Sequence, residues 1–452
     1  MTDECNNCPL VKEIEELKAE IARLKKNSSN SHKPPSSDIV KPPKPPAPDG
    51  KKRPIGGQPG HEKHDRAPFP PEKVDRVENH DIKRCPIHGT PLDEENKRVE
   101  TIQKVHLPEK LFTVVEHRIF SRWCPTCEKY HAADTPAELD RGLFDERTTA
   151  LVGYMKGACH MSYSTIQSFF GGVMGLSATQ GFFAKEVQRC SNALESPYNE
   201  LLEALSKEKV LNVDETGHKE NGDNFWTWVF RSPGYALFRI EQSRGSQVLI
   251  DVLGREFNGL LGCDYFSAYR KYFDVSNARI QFCLAHLVRE VKFLVEHPDK
   301  VTRNYGKRVL KRLRRLFRVF HNRDKMSAEQ FTRALERARD KLIAVAKRAP
   351  CRGEAKNIAE RFRKYGREYF TFMTSRGIEP TNNLAEQAIR FVVIDRKVTQ
   401  GTRSIRGRRW CERIWTVIAT CAIQAKSAFD YLVEAVTAFK SGSPVPSLVN
   451  SS

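Results

Sequence analysis

Apolar positions along the chain follow three successive periods, and each predicts a different element. Leu10, Ile14, Leu17, Ile21 and Leu24 recur at alternating steps of four and three, with Glu, Lys and Arg between them. That is an a/d seam, and it predicts a coiled-coil helix over 1–26 that pairs with a second helix. A helix packed on its own chain is the alternative. The period is lost over 27–60, where seven prolines fall between Pro34 and Pro48 among Ser and Lys. Such a stretch buries too little apolar surface to fold and reads as an extended basic linker.

Alternation of period two follows in VETIQKVHL and FTVVEHRIF, which predicts a small β module over 61–137. Over 138–205 the pattern turns helical in LVGYMKGAC, STIQSFFGGVMG and SATQGFFAKEVQRC, with Ser162, Ser164 and Ser177 as candidate N-caps. Three short helices of this kind resemble a helix-turn-helix unit; a plain helical connector is the other reading. From 206 to 440 strand patterns come first, in KVLNVDET, NFWTWVF, YALFRI, LLGCDYF and ARIQFCL. Helical patterns run from His286 to about Phe372, then over Asn382–Val393 and Trp410–Lys440, leaving 441–452 as a tail. The whole is a multidomain α/β chain with a helical insertion at about 290–375.

Charge narrows the partner. The 452 residues carry a formal net charge of +19, which favours a polyanion, with nucleic acid ahead of an anionic membrane surface. Two clusters concentrate it. Val301–Arg323 holds nine Lys/Arg and no acid, including Lys311 and Arg315, and Arg396–Arg409 holds six more, including Lys397 and Arg403. Two such runs in one domain point to phosphate contacts. No run reaches the eighteen or so apolar residues of a spanning helix, and Ile414–Ile423 is short and broken by threonine. The opening MTDECNNCPL lacks the basic and apolar regions of a secretory signal, and twelve cysteines then suit metal binding in a reducing compartment. The expected location is cytoplasmic.

Cys85-Pro-Ile-His88 and Cys124-Pro-Thr-Cys127 each place two ligands at a two-residue spacing. Two such knuckles complete a tetrahedron around one structural zinc ion, with His131 or His117 as substitutes for His88. Cys5 and Cys8 form a third pair, either free thiols or half of a zinc site shared across a dimer.

Asp214 ends the apolar run VLNV, Asp264 ends GLLGC, and Glu386 begins an amphipathic helix. Carboxylates at the ends of adjacent strands converge at one sheet edge, and a third from a helix closes the cluster. Three together repel one another, and hard oxygen donors are matched by Mg²⁺ or Mn²⁺.

At these residues the chain resembles the insertion-sequence-66 family of bacterial DDE transposases. The likeness runs through KPPSSD (33–38), GGQPGH (56–61), the cysteine knuckles, VDETG (213–217), CDYFSAY (263–269), CLAH (283–286) and NNLAEQAIR (382–390), followed by Arg396-Lys397. It implies an RNase-H-like mixed sheet with a helical insertion before the last acid, and Asp214, Asp264 and Glu386 as the catalytic triad. It places Arg390 and Lys397 near the scissile phosphate or flanking DNA. The implied reaction is metal-dependent hydrolysis at element ends, then attack of the freed 3′-hydroxyl on target DNA, at the nucleoid and with accessory transposition proteins among the partners. Double-stranded DNA and a second copy of the chain complete that set. The family has a cysteine where His88 stands, and a glycine where Tyr265 follows the second aspartate. The competing readings are a non-catalytic zinc-containing DNA-binding regulator with a degenerate nuclease-like domain, and a nuclease without strand transfer.

Overall fold

The computed structural model describes residues 9–26, 30, 67–92, 100–134, 142–350, 353–375 and 377–449. Cys5, Cys8, KPPSSD, GGQPGH and nearly all of the 27–60 linker lie outside the described residues. The chain divides into two compact units, residues 43–118 and the remainder.

In the 43–118 unit a tight turn is closed by Cys85 N–H donating to Thr90 O (2.9 Å) and Gly89 N–H to Cys85 O (2.9 Å), with Gly89 at φ +68°. The alternation seen over 100–118 does not become a ladder. Val105, Leu107 and Val114 are each more than 70% exposed, and these residues pair with no strand among those described. Alternation marks a surface suited to a sheet, and the sheet forms only where a partner strand lies alongside.

The other unit begins with the helix that the heptad spacing predicts, α1 (Pro9–Leu24). Its end is tied down by Arg23 to Glu354 (3.1 Å), by Lys26 over the Phe293 ring (4.1 Å) and by Asn30 to Glu296 (2.8 Å). A two-stranded hairpin, β1 (Ser121–Cys124) and β2 (Lys129–Ala132), precedes four helices. These are α2 (Glu146–Gly157), α3 (Tyr163–Gly172), α4 (Gln180–Ala193) and α5 (Glu195–Leu205). Ser162 caps α3 as expected, whereas α4 is capped by Thr179 rather than Ser177.

Five strands form one mixed sheet: β3 (Val210–Glu220), β4 (Asp223–Arg231), β5 (Ala236–Glu241), then β6 (Leu260–Cys263) and β7 (Arg279–Phe282) after α6 (Ser246–Leu253) and α7 (Ser267–Phe273) respectively. The order is β5-β4-β3-β6-β7. Asn221 and Gly222, both at positive φ, make the two-residue turn that pairs β3 with β4 antiparallel. β6 pairs parallel to β3 and β7 parallel to β6, and β6 is buried along its whole length, as its unbroken apolar sequence requires.

Helices follow in the order α8 (Leu284–Val295), α9 (Lys300–His321), α10 (Ala328–Ala346), α11 (Gly353–Tyr365), α12 (Asn383–Thr399), α13 (Ile405–Ile423) and α14 (Ala428–Ser441). The single helix expected over Trp410–Lys440 is therefore two, broken where Ala425 turns to φ +53°. α13 covers the free edge of β5: Glu412, Thr416 and Thr420, four apart, accept the N–H groups of Ile240, Phe238 and Ala236. A covered edge cannot recruit a foreign strand. The tail also packs, with Leu448 buried and its carbonyl accepting from Gln424. Between β7 and α12 the insertion departs and returns at one place, since Leu284 N–H donates to Pro380 O (2.9 Å) and Asn382 N–H to Cys283 Sγ (3.1 Å).

Candidate active site and basic surfaces

Register brings the first two acids level. Asn212 on β3 lies opposite Gly262 on β6 in the parallel pairing, so Asp214 and Asp264, each two residues further on, emerge side by side from adjacent strands. Each carboxylate accepts a nearby backbone N–H: Glu215 N–H donates to Asp214 Oδ1 (3.0 Å) and Phe266 N–H to Asp264 Oδ1 (2.8 Å). Glu215, next along the strand, is occupied elsewhere, by Arg244 (2.7 and 3.0 Å) and the Tyr269 hydroxyl.

Glu386 reaches this edge because α12 is bolted to it. The buried Asn382 side chain donates to Val213 O (2.8 Å) and accepts from Asn212 Nδ2 (2.8 Å). Its neighbour Gly262 makes room, since a Cβ there would stand 2.5 Å from Asn212 Nδ2. Glu386 sits in the first turn of α12. Burial, and then the charges of Glu215, Asp264 and Glu386, push the Asp214 carboxyl well above the usual carboxylate range. Oxygen-only donors whose charges raise the Asp214 carboxyl in this way fit a hard divalent cation.

One cation of the chain is already present. Arg289 Nη2 on α8 bonds Glu386 Oε2 (3.0 Å), its Nη1 lies 3.2 Å from His286 Nε2, and His286 Nδ1 lies 3.5 Å from Glu386 Oε1. Neither Arg289 nor the asparagine pair is singled out by sequence reasoning. The one available signal is the i, i+3 spacing of His286 and Arg289, which puts both on one helix face. Tyr265, where a glycine was expected, packs against Phe282, Tyr365 and Tyr369 beneath the Arg270 and Arg361 guanidinium groups. That pocket accommodates the bulky ring.

Of the basic residues singled out, Arg396 is held on β3 by donating to Thr216 Oγ1 (3.1 Å), two residues beyond Asp214. Arg390 lies one turn after Glu386 on α12 and is exposed, as are Lys397 and Arg403. The loop that carries Arg403 is stitched to the end of β3 by Asn221 N–H to Thr402 O (2.8 Å) and Thr402 N–H to Lys219 O (2.9 Å). Lys311 and Arg315 line a groove of about 790 Å³ with Lys307, Arg337 and Lys341, over an apolar floor that includes Leu310 and Ala338.

The cysteine knuckles divide between the two units. In residues 43–118, Cys85 Sγ lies 3.5 Å from His88 Nδ1. In the other unit, Cys124, Cys127 and His131 bring their donor atoms within 4.8 Å of one another, with Cys127 Sγ 2.9 Å from His131 Nε2. His131 thus joins the second knuckle across the β1–β2 hairpin. Soft sulfur and imidazole donors at this spacing suit zinc. No helix among the described residues is long and apolar enough to cross a membrane.

Comparison with known families gives two matches. The family described as "Transposase IS66 family" matches residues 141–409, more than half of the chain and the stretch that carries all three acids. A family of unknown function, DUF6444, matches residues 5–67. None of the curated proteins matches the chain.

Proposed function

The chain belongs to the IS66 family of transposases, and from that premise we propose that it cuts insertion-sequence ends and joins the freed 3′-hydroxyl to target DNA, with Asp214, Asp264 and Glu386 as the catalytic acids. One observation carries the assignment: two aspartates level on adjacent parallel strands, Asp214 within β3 and Asp264 just past the end of β6, with a helix-borne glutamate bolted beside them through Asn382. The strand order, three antiparallel strands followed by two parallel ones, supports an RNase-H-like domain. The same three carboxylates would hold Mg²⁺ or Mn²⁺, which when bound activates a water or 3′-hydroxyl and stabilises the leaving oxygen in phosphoryl transfer. The chain's own residues position the DNA. Arg396, fixed on β3, and Arg390 and Lys397 on α12 bind phosphates next to the acids, and Arg403 extends that surface along the stitched loop. Lys311 and Arg315 contact the DNA backbone further off.

The helices of 138–205 are the candidate sequence reader, and Cys124, Cys127 and His131 hold a structural zinc ion. On α1, Ile14, Leu17, Ile21 and Leu24 are 48–72% exposed, which suits pairing with a second copy of the helix. The protein would act on DNA in the cytoplasm, together with accessory transposition proteins.

The test is nicking of a duplex carrying an element end, with Mg²⁺, with Mn²⁺ and with EDTA. Metal-dependent nicking that is lost in Asp264→Asn is expected. Activity that survives this change would remove Asp264 from the reaction. DNA binding without any nicking, accessory proteins included, would favour the regulator reading.

A further inference from the structure

Cys283, His286 and Glu386 bring three potential metal donors within 4.8 Å of one another beside the acid cluster. Two features argue against an ion there. Burial pushes the Cys283 thiol up to about 11, so it stays protonated at neutral pH, and its sulfur already accepts the Asn382 N–H. The Arg289 guanidinium also engages both of the other two donors.

A guanidinium only donates hydrogen bonds, so His286 Nε2, 3.2 Å from Arg289 Nη1, must be the acceptor. The ring proton is then on Nδ1, the atom facing Glu386 Oε1 at 3.5 Å. Glu386 is thus approached by two side chains of α8: Arg289 Nη2 reaches both of its oxygens (3.4 Å to Oε1, 3.0 Å to Oε2), and the imidazole Nδ1 stands beside Oε1.

We propose that Arg289 is an internal cation that holds the third carboxylate of the site until a divalent ion displaces it, with His286 fixing the carboxylate's orientation throughout. This rests on the metal-binding reading of the acid triad. The physical argument is competition. A cation bonded to Glu386 Oε2 both covers a coordinating oxygen and repels an incoming ion, so metal entry requires that Arg289 swing out. Its side chain is about one-third exposed, which leaves it room to do so. Arg289 is a positioning residue in this scheme: it sets when Glu386 is available.

The diagnostic is metal affinity of the full-length protein without DNA, read as free Mn²⁺ by electron paramagnetic resonance. Arg289→Gln, neutral and of similar reach, is expected to bind Mn²⁺ about three- to tenfold more tightly than the unaltered protein, the order expected for one partly screened charge at this range. Arg289→Lys keeps the charge and should stay within about twofold. Structural damage weakens binding, so tightening separates competition from a packing role. Binding that is lost in Asp264→Asn yet no tighter in Arg289→Gln overturns the inference and leaves the metal site standing. No Mn²⁺ binding by either the unaltered protein or Arg289→Gln overturns the metal site and the inference with it.

Discussion

Asn382 offers the sharpest test of how the acid cluster is built. Cutting it back to alanine removes the two side-chain bonds that tie the start of α12 to β3, leaving Arg396 to Thr216 as a tie further along, and it strands two buried partners, the Asn212 amide and the Val213 carbonyl. Each buried polar group left without a partner costs about 1–3 kcal/mol, so the change should cost about 2–5 kcal/mol in total. At about 2.1 cal/mol/K of unfolding entropy per residue, a folded body of roughly 300 residues then melts about 3–8 °C lower. The consequence for chemistry is larger than for stability. Glu386 lies one turn from the lost anchor, and a carboxylate displaced by about 1 Å slows a reaction roughly 100-fold. Thermal unfolding gives the first quantity, and single-turnover nicking at saturating DNA and Mg²⁺ gives the second. Because Asn212 and Asn382 share one bond, the double alanine variant should lose less than the sum of the two single variants. An Asn382→Ala protein that melts within 1 °C of the unaltered one (roughly the measuring error) and nicks at full rate would refute the reasoning.

Four further outcomes are expected. The metal-free Asp214 carboxyl titrates above its unfolded value, because of burial and then of Glu215, Asp264 and Glu386. The stability it contributes is therefore full below the unfolded pKa and lost as pH rises through the folded one. Asp214→Asn should accordingly melt about 2–4 °C higher than the unaltered protein at pH 7.5 without metal, with the gain fading toward pH 4, as melting curves across that range will show. Gly401 stands at φ +95° with its Cβ position 2.2 Å from Lys219 O, so Gly401→Ala should cost about 2 kcal/mol or more and flatten the salt dependence of DNA binding by loosening the Arg403 loop. Elemental analysis should find zinc that Cys127→Ser loses; protein purified without zinc would remove that site. Leu17→Asp with Ile21→Asp should shift the protein to a smaller species in sedimentation while leaving its melting temperature unchanged, and an unaltered sedimentation profile would remove α1 from self-association.

The end of β6 was readable because GLLGC is a short apolar run that stops at an aspartate, whereas VLNV stops at Asp214 while β3 runs on to Glu220, paired with β4 throughout. The sequence did not make the register of β3 and β6 readable, which depends on Asn212 meeting Gly262 across fifty positions of chain. The same limit hid the asparagine pair and the Arg289 contact: each residue is unremarkable locally, and its partner is far away in sequence. Local signals misled in three places. The last long helix breaks where Ala425 stands at φ +53°, although alanine is the best helix former. Residues 100–118 alternate without a partner strand among the described residues. Ser177 offers a cap, but Thr179 two residues later supplies the hydroxyl that Phe182 N–H meets. The pairing of His131 with Cys127 was within reach of the sequence, and the hairpin between them made it geometric.

The insertion that departs at Leu284 and returns at Pro380 has a consequence for how such an enzyme can change over time. Because its two ends are hydrogen-bonded to each other, the stretch between them is a closed excursion from the sheet that carries the acids. Closing a loop costs only about 0.6 kcal/mol more for each doubling of its length. Helices α9 and α10 can therefore be lengthened, shortened or exchanged for another module at small cost, provided the two ends still meet and α8 and α11 keep their places beside the acids. The spacing of Asp264 and Glu386 along the chain is then free to drift while their separation in space stays fixed, and new DNA-handling surfaces can be acquired without re-engineering the chemistry.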